Sequence, residues 1–201
     1  MSYLKKNYKY RVFGILCVTI LFFITQQAYA AIIVGNSKGS ITLSFIYDYQ
    51  CNHCHHMFPL VQKLITENRD LKVKLYPVAV INNNSLFEAA TAIAATRIPG
   101  KFQELMTFLM YQPPLSTQQI INLLHKLDLD KRAFTTSIHS QWVKAQLMEG
   151  LQIMRQAHTK NIPIFIIKSR KISTTKILIG EQSYKFLENV LTGVNKNAKR
   201  N

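Results

Sequence analysis

Cys51-Asn52-His53-Cys54 is the segment whose residue types and spacing best suit covalent chemistry. Two thiols with two residues between them can close into a disulfide and reopen by exchange. The attacking species in that exchange is the thiolate, so whatever favours a charged sulfur favours the reaction. His53 lies between the two cysteines and could offer the Cys51 sulfur a hydrogen bond or a positive charge. His55 and His56 follow, which puts five soft or borderline ligands (Cys51, His53, Cys54, His55 and His56) within six residues. Those types also suit Zn²⁺ or Cu(I). A helix through the segment would splay the five side chains, and no second Cys or His cluster completes a closed site. Dithiol exchange is therefore the expected chemistry, with no metal and no cofactor.

The flanking pattern explains how such a pair would be held. Ile41 to Tyr49 is β-branched and aromatic, the composition of a buried strand. After Asn52 the period changes, and Met57, Val61, Leu64 and Ile65 recur at helical spacing. Cys51 thus falls where a strand hands over to a helix. Unpaired backbone N–H groups and the helix dipole stabilise negative charge there. Leu71 to Val80 opens with strict alternation and reads as a second strand that ends or reaches an edge at Pro77. Strand, helix and strand in so short a span make a βαβ unit with parallel strands.

Residues 86–158 lack any β-rich run and read as helices. Ser85 with Glu88 predicts a capping box for the first, Pro99-Gly100 ends it, and Ser116 caps a third. A fourth starts at Asp128 or Asp130, and a fifth covers Gln141 to His158. The β signal returns at Ile162 to Ile167 and Lys176 to Ile179, Gly180 closes it, and Tyr184, Leu187, Val190 and Leu191 mark a last amphipathic helix. Residues 31–40 read as a short leader with turns. The fold class is α/β: one mixed sheet flanked by helices, with an inserted all-helical cap at about 83–159.

Of three cysteines in 201 residues, Cys17 sits in a leader with the layout of an export signal. Lys5, Lys6, Lys9 and Arg11 precede an uncharged apolar run, Val12 to Thr25, and Ala28-Tyr29-Ala30 offers a cleavage site. The apolar run is shorter than the ~20 residues of a bilayer span, so residues 1–30 are expected to be a cleaved signal peptide, and 31–201 the folded domain. Cleavage lowers the basic count from 25 to 21 against 10 acidic residues, a net +11. Only Cys51 and Cys54 remain, too close together to staple a fold but well placed as a working pair. The positive charge is scattered, apart from Lys168 to Lys171 and Lys196 to Arg200, and so implies no nucleic-acid partner. His125, His139 and His158 are isolated and read as surface or capping residues.

Phe45 to Cys54, with its aromatic-x-Asp-Tyr-x-Cys-x-His-Cys run, resembles the active-site strand and helix of DsbA-like thioredoxin-fold proteins. Pro59 matches the proline that kinks the first helix of those folds, and Ile162-Pro163 matches their cis-proline. The helical block matches the insertion that sets them apart from plain thioredoxins. The resemblance covers about residues 41–193. It implies an attacking Cys51, a buried resolving Cys54, a His53 that tunes Cys51, and a substrate-docking edge at Ile162 and Pro163. It further implies a periplasmic or otherwise exported thiol:disulfide oxidoreductase that oxidises unfolded, newly exported proteins and is itself reoxidised by a membrane partner. The chain lacks the added dimerisation domain of isomerase relatives, so a monomer is expected. Two departures stand out. Phe45 occupies the place of a buried strand acid six residues before the first cysteine, which leaves the proton route of Cys54 open. Ile162 replaces the usual Val or Thr. The alternatives are a Cu or Zn chaperone built on the Cys/His cluster and a non-catalytic binding module of the same fold.

Overall fold

The computed structural model describes residues 31–129, 132–170 and 175–196. The expected signal at 1–30 and the turn at 171–174 lie outside them. In chain order the elements are β1 (Ile32–Gly35), β2 (Ile41–Tyr47), α1 (Asn52–Glu67), β3 (Leu71–Pro77), α2 (Asn83–Ala95), α3 (Lys101–Tyr111), α4 (Thr117–Lys126), α5 (Arg132–Ile138), α6 (Gln141–Gln156), β4 (Ile164–Ser169), β5 (Thr175–Ile179) and α7 (Tyr184–Lys196). The strands form one sheet in the order β1-β3-β2-β4-β5. β2 and β3 are parallel, joined through α1, and the other three pairings are antiparallel. This is the expected mixed sheet with an inserted helical region.

Period-two alternation assigns the layers. Leu43, Phe45 and Tyr47 of β2, Leu71, Val73 and Leu75 of β3, and Phe165 and Ile167 of β4 share one face. They form the main core with Met57, Phe58, Val61 and Leu64 of α1 and Leu187, Leu191 and Val194 of α7. Ile46, Tyr76 and Ile164 point the other way and pack with Val78 and with Met154 of α6. Helices thus cover both sides. Gly150 lets α6 approach closely, because a Cβ there would come within 2.8 Å of the Val78 side chain. Aromatic stacking stiffens the central strands: the Phe45 ring lies 4.8 Å from Tyr47 and 5.2 Å from Phe165, centroid to centroid.

Three details depart from the sequence reading. The supposed leader contains β1, an edge strand whose Ile32 and Val34 pair with Leu75 and Val73 of β3. As expected, β3 ends at Pro77, and among the described residues its pairing with β1 stops at Leu75. The first cap helix begins three residues early. Asn82 is its N-cap, accepting from the N–H groups of Asn84 and Ser85, while the Ser85 hydroxyl accepts from the Asn82 N–H. Glu88 is therefore not part of a capping box, and one turn further on it is buried at 1% exposure. Finally, α5 begins at Arg132; Asp128 precedes it in a left-handed conformation (φ 58°), and Asp130 lies outside the described residues.

Candidate functional site

The turn from β2 into α1 is tied down by Asp48, whose side chain is fully buried. Its Oδ1 accepts from the Gln50 N–H at 2.8 Å, and its Oδ2 accepts from the N–H groups of Val80 and Ile81 at 2.8 and 3.1 Å. One carboxylate thus holds both the strand-to-helix turn and the segment leaving β3, and the role of Asp48 is structural. The Asp48 carbonyl also accepts from the Cys51 N–H at 3.1 Å. Cys51 follows with extended backbone (φ −97°, ψ 108°) and is the N-cap of α1.

At a capping position a side chain normally supplies oxygen to the free N–H groups of the first turn. Here a sulfur does so. The Cys54 N–H donates to Cys51 Sγ at 3.3 Å, which stabilises the thiolate. The Cys51 pKa is lowered to about 7, foremost by the hydrogen bond from the Cys54 thiol, then by the backbone N–H and the nearby His53, against opposition from burial. Burial and the adjoining Cys51 sulfur push the Cys54 thiol strongly upward. Cys51 is 6% exposed and Cys54 fully buried. The two sulfurs are therefore unlike: one is poised to be charged, the other to keep its proton.

Of the two contributions expected from His53, a hydrogen bond or a positive charge for the Cys51 sulfur, it is the charge that reaches the sulfur. The His53 Nδ1 lies 2.7 Å from Oε1 of Glu181, in the loop after β5, and Nδ1 of His56 lies 2.8 Å from the same oxygen. The hydrogen bond to Glu181 raises the pKa of His53. The third histidine turns inward, with Nε2 of His55 2.6 Å from the Tyr49 carbonyl. The five clustered ligands thus separate into a buried thiol pair, a histidine bound to backbone, and two histidines that meet a distant glutamate. Glu181 had no local signal, because it comes from more than 120 residues further along the chain.

The Ile162–Pro163 bond is cis. β2 and β4 pair Ile46 with Ile164, and one further step along this antiparallel register sets Pro163 against Tyr47, at the sheet end that leads into Cys51. Ile162 packs against both hydrophobic clusters. The Pro163 carbonyl accepts from the Gly180 N–H at 2.8 Å. Since Glu181 comes next, the loop after β5 joins the proline segment to the first turn of α1. His158, exposed in a left-handed conformation (φ 51°), sits just beyond the last turn of α6.

Glu88 is the residue that sequence reasoning placed wrongly and whose chemistry it missed. Its Oε2 accepts from Gln50 Nε2 at 2.9 Å, while its Oε1 is buried without a hydrogen bond. Burial raises its pKa to about 7. A carboxyl thus lies beneath the residue preceding Cys51, although the strand position at Phe45 carries none. Next to it, Tyr47 and Tyr49 share a hydroxyl–hydroxyl hydrogen bond of 2.9 Å, and burial raises both of their pKa values.

Known proteins share this architecture. A thioredoxin-like oxidoreductase from Silicibacter pomeroyi superposes with a TM-score of 0.74 at 18% identity, covering 83% of this chain and 92% of its own. A periplasmic thioredoxin-like protein from Salmonella enterica serovar Typhimurium gives 0.71 at 20% identity, covering 84% and 92%. The catalytic domain of Proteus mirabilis ScsC gives 0.71 at 19% identity, covering 84% and 91%. An uncharacterized protein of Haemophilus influenzae is 22% identical over 157 residues, which is 73% of this chain and 65% of that relative's length. The thioredoxin family model matches residues 27–188, which takes in the sheet, the cysteine turn, the helical insertion and the start of α7. With that span, the chain belongs to the thioredoxin family.

Proposed function

We propose that the chain is an exported thiol:disulfide oxidoreductase that introduces disulfides into other proteins through Cys51 and Cys54. One observation carries the reading: the Cys51 sulfur caps α1 and receives the hydrogen bond of the Cys54 N–H, with the buried Cys54 three residues on. This arrangement supports a stable Cys51 thiolate and a protonated Cys54, the state in which an oxidising pair rests after turnover.

In the forward direction a substrate thiolate attacks Cys51 Sγ of the oxidised pair. The Cys51–Cys54 bond breaks, and Cys54 leaves with the electron pair and takes up a proton, as its buried position demands. The substrate's second thiolate then attacks its own sulfur in the mixed disulfide and expels Cys51 as a thiolate. The substrate has lost two electrons, and the enzyme holds them as one thiolate and one thiol. Ile162 and Pro163, at the same end of the sheet, form the edge on which an extended substrate segment would lie. A membrane oxidant would reclose the pair in an exported monomer whose residues 1–30 had served as its signal. Glu88, with its raised pKa near the cysteine turn, is a candidate to replace the absent strand acid in handling protons.

The test is oxidative refolding of a reduced, unfolded disulfide protein in a glutathione buffer. Catalysed disulfide formation that disappears in Cys51→Ala supports the assignment. No turnover by the wild-type chain would point to a binding module.

A further inference from the structure

We propose that His53, His56 and Glu181 form a binding site for a divalent transition-metal ion of the Zn²⁺ class, outside the thiol pair. The proposal goes beyond the redox reading and does not rest on it.

His53 and His56 are three residues apart on α1, so their rings project from one helix face. Both Nδ1 atoms converge on the same carboxylate oxygen, at 2.7 and 2.8 Å, and the three potential ligand atoms all lie within 4.8 Å of one another. The rings stand nearly perpendicular, at 88°, with centroids 6.3 Å apart. Two imidazoles and a carboxylate are a recognised ligand set for zinc, with Zn–N and Zn–O bonds of about 2.0–2.2 Å. Tetrahedral bonds of that length hold neighbouring ligand atoms about 3.3 Å apart. Each nitrogen would therefore withdraw from Glu181 by roughly half an ångström as the ion entered. The side chains are free to do so, since they are 70%, 69% and 43% exposed. Three protein ligands leave a fourth position open to water or to a donor from a bound partner.

Chemistry separates this site from the neighbouring ligands. His55 is engaged with the Tyr49 carbonyl, and Cys54 is fully buried. The site has a mechanical consequence as well. Gly180 bonds the Pro163 carbonyl, and the Gln182 N–H reaches Met57 Sδ at 3.3 Å. An ion held by Glu181 would fix the loop after β5 to α1 between these two contacts, at the rim of the cysteine turn.

The experiment uses tag-free Cys51→Ala/Cys54→Ala protein titrated with Zn²⁺ by equilibrium dialysis, with melting temperature as a second readout. One Zn²⁺ per chain is expected, with a rise in melting temperature. His56→Ala and Glu181→Gln should each weaken binding about tenfold or more, while His55→Ala should leave it unchanged. These ligand residues are exposed, so their variants should fold. If the double cysteine variant does not fold, the disulfide form of the wild-type chain serves in its place, with both sulfurs occupied. A thiol-free chain that fails to bind Zn²⁺ overturns the proposal. Binding that is unaffected by both His56→Ala and Glu181→Gln overturns it equally.

Discussion

The Cys54 N–H points at the Cys51 sulfur from 3.3 Å, so the first cysteine caps the backbone of the second as well as lying ready to bond with it. The thiol of Cys54 adds the largest of the effects that lower the Cys51 pKa. Cys54→Ala keeps the backbone bond and removes the thiol. Its Cys51 should titrate well above about 7, toward the ordinary cysteine value of about 8.5. The pH dependence of iodoacetamide alkylation measures this. A midpoint unchanged from that of the reduced wild type would mean that the Cys54 thiol does not stabilise the Cys51 thiolate. His53→Ala should raise the midpoint by less, because His53 ranks lower among the causes.

Linkage fixes the direction of the stability effect. The folded-state pKa of Cys51, about 7, lies below the ordinary cysteine value of about 8.5. The thiolate's contribution is therefore fully present above the unfolded pKa and is lost as pH falls through about 7. Reduced protein should gain on oxidised protein in melting temperature between pH 6 and pH 9. After allowance for screening at a partly exposed sulfur, the gain should be about 1–2 kcal/mol. A reduced form that melts below the oxidised form throughout would contradict the oxidase direction and favour a reductase.

Asp48 should behave as a structural group. Asp48→Ala strands three backbone N–H groups that now share its carboxylate, at a cost of about 3–5 kcal/mol. Asp48→Asn should cost less, and because the Asp48 charge opposes the Cys51 thiolate, it should lower the Cys51 pKa. Urea unfolding and alkylation read the two effects separately. A loss of reactivity without a loss of stability would reverse the assignment.

Glu88 has a folded-state pKa of about 7 against a reference of 4.5. The native state binds the extra proton, so this residue costs stability as pH rises from about 4.5 to about 7. Glu88→Gln should raise the melting temperature at pH 8 and have much less effect at pH 4.5. Equal effects at both pH values would show that Glu88 is already ionised in the fold.

Much of this was legible in the sequence because the signals were local and repeated. Ile41–Tyr47 combined β-branched composition with a following change of period, so the strand, the helix and the place of Cys51 between them could be read together. Pro163 could be placed from the apolar run after it. Short or long-range features could not be read. Four residues, Ile32–Gly35, carry too little pattern to mark a strand until β3 supplies the partner. The capping box at Asn82 was hidden because Asn82, Asn83, Asn84 and Ser85 are all competent caps, and only tertiary packing chooses among them. Glu181 became part of the site solely because the sheet returns β5 to the start of α1. The same return gives His53 a partner that its sequence neighbours could not reveal.

The most direct test of the central claim is the reduction potential of the Cys51–Cys54 couple, measured in glutathione buffers at pH 7. At pH 7 a Cys51 with a pKa of about 7 is half ionised, so its lowered pKa alone shifts the two-electron couple by only about 10 mV, and it is the oxidising direction of the proposed reaction that requires a potential above that of a reductant. An oxidase is expected to show one two-electron transition above about −230 mV, more oxidising than the roughly −270 mV of thioredoxin. A couple at or below about −270 mV, or two cysteines that form no disulfide with each other at any glutathione ratio, would contradict it.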